Sequence, residues 1–207
     1  MRRRSWFKWG AAAAAALGLL LIGNGVYIQG KALVAQVLLE RAFAETVASG
    51  APVKAWSWAD AWPVAKISAP GLGVSAIALN ATSGEALAFG PGHLEQSAQP
   101  GEPGVAVFAA HRDTQFAFLG QLQPGAKIDV TRADGQTFTY EVTGGEIVRW
   151  DSSGLTSEKS APRLALVMCW PLDGKTRGPL RYVVHAKLIE NVVSQTPSAP
   201  EIAKAPS

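Results

Sequence analysis

The sequence predicts a mainly β domain, a closed or nearly closed barrel, preceded by an N-terminal membrane helix. Three observations predict this fold class. An 18-residue apolar stretch follows a basic N-terminus, strand-like runs separated by Gly and Pro follow Pro63, and few helical patterns interrupt those runs. A chain of 207 residues is long enough for one such domain with an anchor and linkers.

The first two segments form the predicted anchor. Residues 1–10 (MRRRSWFKWG) are a basic flank without an acid, and residues 11–28 hold Asn24 as their only strongly polar residue. This apolar stretch would form roughly 27 Å of helix, close to the ~30 Å hydrocarbon core of a bilayer. The basic flank predicts a cytoplasmic N-terminus and an extracytoplasmic remainder. A cleaved signal peptide is the alternative, although no small-x-small cleavage site closely follows the apolar stretch.

The charge distribution argues against a nucleic-acid partner. The net charge is +3, and the basic flank alone carries four positive charges. The rest of the chain is therefore slightly acidic overall and has no bulk basic surface.

Residues 29–61 are predicted to form a helical stalk and a linker. Residues 29–48 have helical spacing, with Leu33, Val37, Leu38 and Phe43 expected on one apolar face. The following stretch, 49–63, contains three tryptophans and reads as a linker that packs on the domain.

Residues 62–193 are predicted to form the β-barrel. Ser83 to Phe89 is expected to be a short helix, and the long fifth strand is expected to bend or bulge at Gly144-Gly145. The tail, 194–207, is rich in Pro, Ala and Ser and is predicted to be disordered. The expected strands are Val64–Ser68, Val74–Leu79, Gly104–Ala110, Lys127–Arg132, Thr137–Arg149, Leu164–Cys169 and Arg181–Ile189.

Three chemically capable residues stand at the boundaries of three different predicted strands. Cys169, the only cysteine, ends an apolar run directly before Trp-Pro; His111 follows the run VAVFAA; and Arg181 opens RYVVHAKL. Strand boundaries are places where a β scaffold presents side chains to a shared groove. A thiolate can attack a peptide carbonyl, an imidazole can transfer protons, and a guanidinium can stabilise an oxyanion or orient a peptide.

Each of these residues alone also has a structural interpretation. A lone cysteine is often a small buried hydrophobe, the histidine could be structural, and the arginine could be a solvated strand start. An extracytoplasmic free thiol is nevertheless a redox liability, and a single cysteine cannot form an internal disulfide. The residues by themselves leave the catalytic and the structural interpretations open.

Two long motifs resemble those of sortases, the membrane-anchored transpeptidases of bacterial surfaces. Residues 90–116 (GPGHLEQSAQPGEPGVAVFAAHRDTQF) resemble the histidine region of that family, and residues 164–188 (LALVMCWPLDGKTRGPLRYVVHAKL) resemble its cysteine-to-arginine region. The Cys-Trp-Pro and Gly-Pro-Leu-Arg-Tyr-Val-Val details look most like the class found in Gram-negative proteobacteria, class GN. The resemblance covers roughly residues 62–191.

The resemblance implies a sortase-type closed eight-stranded β-barrel with short helices. It makes Cys169 the nucleophile, His111 the general acid/base and Arg181 the oxyanion or substrate-orienting group. Arg177, four residues before Arg181, is a competitor for that role. Asp113 is expected either to orient groups near the histidine or to be a solvated turn residue. Of the two remaining histidines, His93 is expected to be a loop or packing residue, and His185, within the last strand, is expected to be structural.

Two departures from the family pattern flank the implied site. Met168 stands where the residue before the cysteine is usually Thr, and Ala110 stands where Gly usually precedes the histidine. Met168 is expected to lie in the substrate-binding groove, where it would change which signal is accepted. No acidic cluster suggests a calcium site, so no metal is expected. The resemblance implies a reaction that needs no cofactor.

The resemblance also implies the reaction, its partners and its location. The expected enzyme cleaves the LPXTG-like sorting signal of an exported protein through a thioacyl intermediate on Cys169 and transfers the acyl group to an amine acceptor. It would lie in the inner (cytoplasmic) membrane as a single-pass protein with a periplasmic catalytic domain. The alternatives are a hydrolase-only extracytoplasmic thiol protease and a non-enzymatic, membrane-tethered β module.

Overall fold

The fold is a closed eight-stranded β-barrel preceded by one long helix. The computed structural model describes residues 3–151, 161–172 and 178–192. The helix is α1 (Arg3–Ser49), and a one-turn helix, α2 (Gly84–Leu87), follows the second strand. The strands are β1 (Pro63–Ala69), β2 (Val74–Leu79), β3 (Gly92–His93), β4 (Val105–Ala110), β5 (Lys127–Arg132), β6 (Thr137–Arg149), β7 (Arg163–Cys169) and β8 (Leu180–Val192).

The strand order around the barrel is β1-β2-β3-β4-β7-β8-β6-β5, and β5 closes on β1. β4 and β7 are parallel neighbours, whereas β8 pairs antiparallel with both β7 and β6. This order confirms the expected eight-stranded barrel. The four strands β4, β7, β8 and β6 form one continuous wall, which carries the candidate site.

Seven of the eight strands begin within one or two residues of the predicted first residue. The exception is β3, whose two residues are too few for a detectable alternation of polar and apolar side chains. β6 has a register shift between Val142 and Gly144, which confirms the bulge expected at Gly144-Gly145. Among the described connections are two short 3₁₀ segments, Pro70–Leu72 and Ala117–Gln121.

Alternating apolar residues of the strands fill the barrel interior. On β7, Leu164, Leu166 and Met168 point inward and are fully buried, and Phe108 of β4 lies in the same core. Successive residues of a strand point to opposite faces, so the intervening residues of β4, β7 and β8 lie on the outer face of the wall.

A hydrogen-bonded contact secures the loop before β4 against the barrel. The amide of Gly101 donates to the hydroxyl of Tyr140 at 2.7 Å. Burial raises the pKa of Tyr140 to about 12, although the bond from Gly101 acts in the opposite direction. Gly101 has a positive φ of 88°, and a Cβ there would lie 2.1 Å from the ring of Phe138. A side chain at Gly101 would therefore push the loop off the barrel.

The C-terminal part of α1 packs directly on the barrel. Leu39 and Phe43 are 2% and 7% exposed and join a cluster with Ile77 and Leu79 of β2. The side chain of Gln36 donates to the carbonyl of Phe89 at 2.8 Å. The stalk helix is therefore held against the domain rather than separated from it.

The predicted apolar face of this helix is only partly correct. Phe43 is buried as expected, but Leu33 and Val37 are 68% and 65% exposed. The buried face instead combines Leu39 with Phe43 and the small residues Ala42 and Thr46. The helix buries the side that meets Ile77 and Leu79 of β2, and Leu33 and Val37 are not part of that cluster.

The N-terminal part of α1 contains a long apolar stretch. Residues Ala16–Ser49 form a helix that is long and apolar enough to cross a membrane, judged by length and composition. None of its most apolar window is buried inside the protein. One helix runs through the predicted anchor and stalk without a break. The predicted tail, 194–207, lies outside the described residues.

Candidate active site

Three strands bring the candidate catalytic residues together at one end of the wall. In the parallel pair of β4 and β7, Ala110 is opposite Met168, so His111 and Cys169 are the next residues of neighbouring strands. In the antiparallel pair of β7 and β8, Cys169 is directly opposite Arg181. Neighbouring strands lie about 4.8 Å apart, so residues separated by up to 70 positions in sequence meet within two strand spacings.

These residues lie on the outer face of the wall. Met168 and Tyr182 pair on the inner side, so Cys169 and Arg181, the next pair along, point outward. Both side chains are half-buried, and His111, which continues the alternation of β4, is exposed. A thiol, an imidazole and a guanidinium are thus all accessible from the same side of the barrel.

An apolar surface adjoins this trio along the same face. Val107, Ala165 and Val183 are buried, and Val105, Val148 and Val167 pack against them as partly buried residues. Val167 and Val183 form the outward-facing pair next to Cys169 and Arg181: Val167 lies two residues before Cys169, and Val183 lies two residues after Arg181. Apolar side chains beside a few polar groups are typical of sites that bind a peptide or small ligand.

The backbone that immediately precedes Arg181 holds its guanidinium. Nη1 donates to the carbonyls of Gly178 at 3.2 Å and of Leu180 at 2.9 Å. These two bonds use one nitrogen of a group that has five N–H donors. The competitor, Arg177, lies outside the described residues.

Met168 does not lie in the groove where the sequence placed it. Its side chain is 1% exposed and belongs to the barrel core with Leu166 and Phe108. The physical reason is strand alternation, because the residue before an outward-facing Cys169 must face inward. The structure therefore corrects the expectation that Met168 contacts substrate directly.

The other two histidines lie away from the trio. The ring of His93 is buried, with Nε2 3.0 Å from the carbonyl oxygen of Ala98 and the ring centroid 4.9 Å from that of Phe108. Burial lowers the pKa of His93, and the backbone bond to Ala98 partly offsets that effect. His185 Nε2 lies 2.8 Å from a carboxylate oxygen of Glu146 across β8 and β6. His93 is therefore a packing residue, in strand β3 rather than in a loop. His185 is partly exposed and contacts Glu146.

Asp113 and Arg112 follow His111 in the turn after β4. Asp113 is exposed, which fits a solvated turn residue. Arg112 was not singled out from the sequence, although it belongs to the His-Arg-Asp motif. Its Nη1 donates to the carbonyl of Pro171 at 2.7 Å, across 59 positions of sequence. Only the tertiary structure reveals this bond between the two segments of the candidate site.

No group of three or more His, Cys, Asp or Glu side chains within the described ranges is arranged to hold a metal ion. A nucleophilic thiol, a proton-transfer group and a fixed cation together suit acyl transfer.

Comparisons with known proteins agree with this fold. The sortase domain family matches residues 67–189. Sortase D of Bacillus subtilis (strain 168) is 33% identical over 109 residues, which are 52% of this chain and 54% of that protein. The chain therefore spans about half the length of this curated relative.

Solved structures of sortases have the same architecture. Sortase A from Corynebacterium diphtheriae superposes with a TM-score of 0.57 and 25% identity, over 69% of this chain and 66% of that one. A Clostridium perfringens sortase D5 transpeptidase gives a TM-score of 0.60 at 24% identity, over 76% of this chain and 99% of that one. The chain belongs to the sortase family, whose members are in general cysteine transpeptidases that act on sorting-signal proteins.

Proposed function

We propose that the chain is a membrane-anchored cysteine transpeptidase that cleaves an LPXTG-like sorting signal and joins the acyl fragment to an amine. The observation that carries the proposal is the convergence of three strand ends, with Cys169 directly opposite Arg181 and His111 on the neighbouring strand. We also propose that it belongs to class GN, on the Cys-Trp-Pro and Gly-Pro-Leu-Arg-Tyr-Val-Val details.

The proposed first half-reaction forms a thioester. The Cys169 thiolate attacks the carbonyl carbon of the Thr–Gly bond, and the carbonyl electron pair moves to oxygen. As this tetrahedral intermediate collapses, the C–N bond breaks and the leaving amine takes a proton from the His111 imidazolium. Arg181 stabilises the oxyanion or holds the peptide backbone.

The second half-reaction reverses these steps with a new amine. The incoming amine attacks the thioester carbonyl, His111 accepts a proton from it, and the thiolate leaves. An amide forms and the enzyme returns to its starting state. Water in place of the amine would give hydrolysis, which is the hydrolase-only alternative.

The apolar surface beside the trio supports a peptide substrate. Val167 is the next outward-facing residue to Cys169 on β7, and Val183 is the next outward-facing residue to Arg181 on β8. One such step is about 6.6 Å along the strand, or two residues of extended peptide. The Leu-Pro end of a sorting signal would therefore contact the partly exposed members of this surface, such as Val167, while its Thr carbonyl lies at Cys169.

The N-terminal helix supports an anchored enzyme. A catalytic domain held at the inner membrane, on its periplasmic side, meets membrane-tethered substrates in two dimensions. That confinement raises the effective concentration of each for the other.

Product analysis tests the proposal. The full chain in detergent is incubated with an LPXTG-type peptide, with and without a primary amine, and the products are identified by mass spectrometry. The proposal expects an amide with the added amine and no processing by folded Cys169→Ala. Hydrolysis in both conditions would favour the thiol protease, and unchanged processing by Cys169→Ala would refute the catalytic assignment.

A comparison of Arg181 with Arg177 tests which arginine stabilises the oxyanion or orients the peptide. Arg181→Ala is expected to lower the acylation rate about 10²- to 10³-fold, the usual cost of removing an oxyanion donor. Arg177→Ala is expected to cost far less. The reverse ranking would assign the role to Arg177, and equal small losses would remove an arginine from the mechanism.

A further inference from the structure

The candidate nucleophile and the candidate acid/base are carried by two segments that leave the barrel side by side. After β4, the turn that begins at His111 is closed by a bond from the amide of Phe116 to the carbonyl of His111 at 3.3 Å. After β7, the chain continues from Cys169 into Trp170 and Pro171. The sheet fixes the Cα positions at the strand ends, but the side chains beyond them depend on how these two segments meet.

A charged hydrogen bond joins the two segments. Arg112 directly follows His111, and its Nη1 donates to the carbonyl of Pro171, two residues after Cys169, at 2.7 Å. The bond is part-buried. Hydrogen bonds with one ionised partner are shorter and roughly twice as strong as neutral ones.

Apolar packing supports this junction. A Cβ at Gly120, in the 3₁₀ segment after the histidine turn, would lie 2.9 Å from Cδ1 of Leu172. On the other side, the amide of Trp170 donates to the carbonyl of Leu180 at 3.1 Å. The segment after Cys169 is thus held between the histidine turn and β8, and Arg112 provides the polar bond on the histidine side.

We propose that Arg112 is a positioning residue that sets the distance between the Cys169 thiol and the His111 imidazole. This inference rests on the proposed transpeptidase function and goes beyond it, because it gives Arg112 no contact with the reacting atoms. Arg112 acts through the Pro171 carbonyl. Loss of that bond lets the segment after Cys169 move relative to the histidine turn.

The effect should fall on kcat rather than on KM. The apolar surface that would bind the peptide lies along β4, β6, β7 and β8, whereas the bond from Arg112 joins the segments that follow β4 and β7. Proton transfer between imidazole and substrate depends on sub-ångström placement. A misplacement of about 1 Å can lower a rate by about 100-fold. We expect Arg112→Met to reduce kcat about 10- to 100-fold with KM within about twofold of the unchanged chain.

The test uses the full chain in detergent with an LPXTG-type peptide and a primary amine. Arg112→Met and Arg112→Ala both remove the donor, so a folding failure of one leaves the other. Arg112→Lys retains a cationic donor and should recover at least part of the lost kcat. Thermal unfolding identifies a temperature at which every variant is folded.

Arg132 provides a matched control. Its Nη1 also donates to a prolyl carbonyl, that of Pro100, at 3.2 Å and part-buried, but it lies on β5, outside the wall that carries the trio. Arg132→Met should lower thermal stability and leave kcat unchanged. A merely structural Arg112 would behave in the same way.

The outcomes separate this inference from the proposed function. If the unchanged chain forms the amide product but Arg112→Met and Arg112→Ala keep kcat within twofold, the positioning role is overturned and the transpeptidase proposal stands. A kcat loss that Arg112→Lys does not reduce would also overturn it. If the unchanged chain processes no peptide at all, both proposals fail.

Discussion

Replacing Met168 by threonine separates two accounts of the residue before the candidate nucleophile. The side chain is 1% exposed and lies in the barrel core, so the substitution Met168→Thr acts on packing. Removing a buried methionine side chain down to alanine costs about 2–5 kcal/mol. Threonine keeps part of that volume, but its hydroxyl would be buried, and an unpartnered hydroxyl costs about 1–3 kcal/mol.

The expected loss for Met168→Thr is therefore about 3 kcal/mol of unfolding free energy. For a chain of this size, that corresponds to a fall of roughly 6–12 °C in the unfolding midpoint. Peptide preference should not change, because the side chain does not reach the outer face. Thermal unfolding of the full chain in detergent and peptide cleavage at a temperature below both transitions measure the two effects.

The adjacent Val167 provides the control. It lies on the same strand with the opposite orientation and is half-buried on the outer face. Val167→Thr is nearly isosteric and should cost less than about 1 kcal/mol, because its hydroxyl can reach water. Unchanged stability of Met168→Thr together with an altered peptide preference would contradict the inward orientation and return Met168 to the groove.

Three further predictions concern stability and are checked by thermal or urea unfolding. A chain that begins at Ala51 lacks the part of α1 that packs on the barrel, including the buried side chains of Leu39 and Phe43. Its free energy of unfolding should be about 3–6 kcal/mol lower than that of the full chain. Equal stability would mean that the helix does not pack on the barrel. Burial lowers the pKa of His93, so the unfolded chain binds more protons at this residue than the folded chain does. The contribution of His93 to the free energy of unfolding is therefore fully present above the unfolded pKa of about 6.5 and is lost as the pH falls through the folded pKa. This contribution cannot change by more than about 1.4 kcal/mol per pH unit. The free energy of unfolding should depend less on pH between pH 7 and 5.5 in His93→Gln than in the unchanged chain. Parallel curves for the two chains would contradict the prediction. Gly145→Ala should cost about 1–3 kcal/mol of unfolding free energy, because a Cβ there would lie 2.2 Å from the hydroxyl of Tyr182. Gly144→Ala is the control and should be tolerated, because a Cβ at Gly144 would meet nothing within 4 Å. Equal effects of the two substitutions would contradict this packing.

Strand alternation and turn residues made most of the barrel predictable from sequence. Alternating apolar residues mark strands such as β5 and β6, and the Gly-Gly pair marks the bulge. The same alternation would have placed Met168 inside, since it is in phase with Leu164 and Leu166. The groove assignment instead followed the motif position, which does not report the direction of a side chain.

The face of α1 that contacts the barrel could not be predicted from periodicity. The helix has apolar residues on several sides, because one part is suited to a membrane and another to the barrel. Leu33 and Leu39 are chemically alike, and only the shape of the barrel surface selects Leu39 for burial. Similarly, the sequence suggests no partner for Arg112, because the accepting group is a backbone carbonyl that any residue could supply.

The most direct measurement is an acid-quenched mass spectrum of the full chain after a brief incubation with an LPXTG-type peptide and no amine. If thiol, imidazole and guanidinium share one site, the protein gains the mass of the peptide fragment up to its threonine, and peptide mapping finds that mass on Cys169. Folded His111→Ala should accumulate no adduct on the same timescale. A folded chain that gains no mass, or that carries the fragment on a residue other than Cys169, would contradict the account.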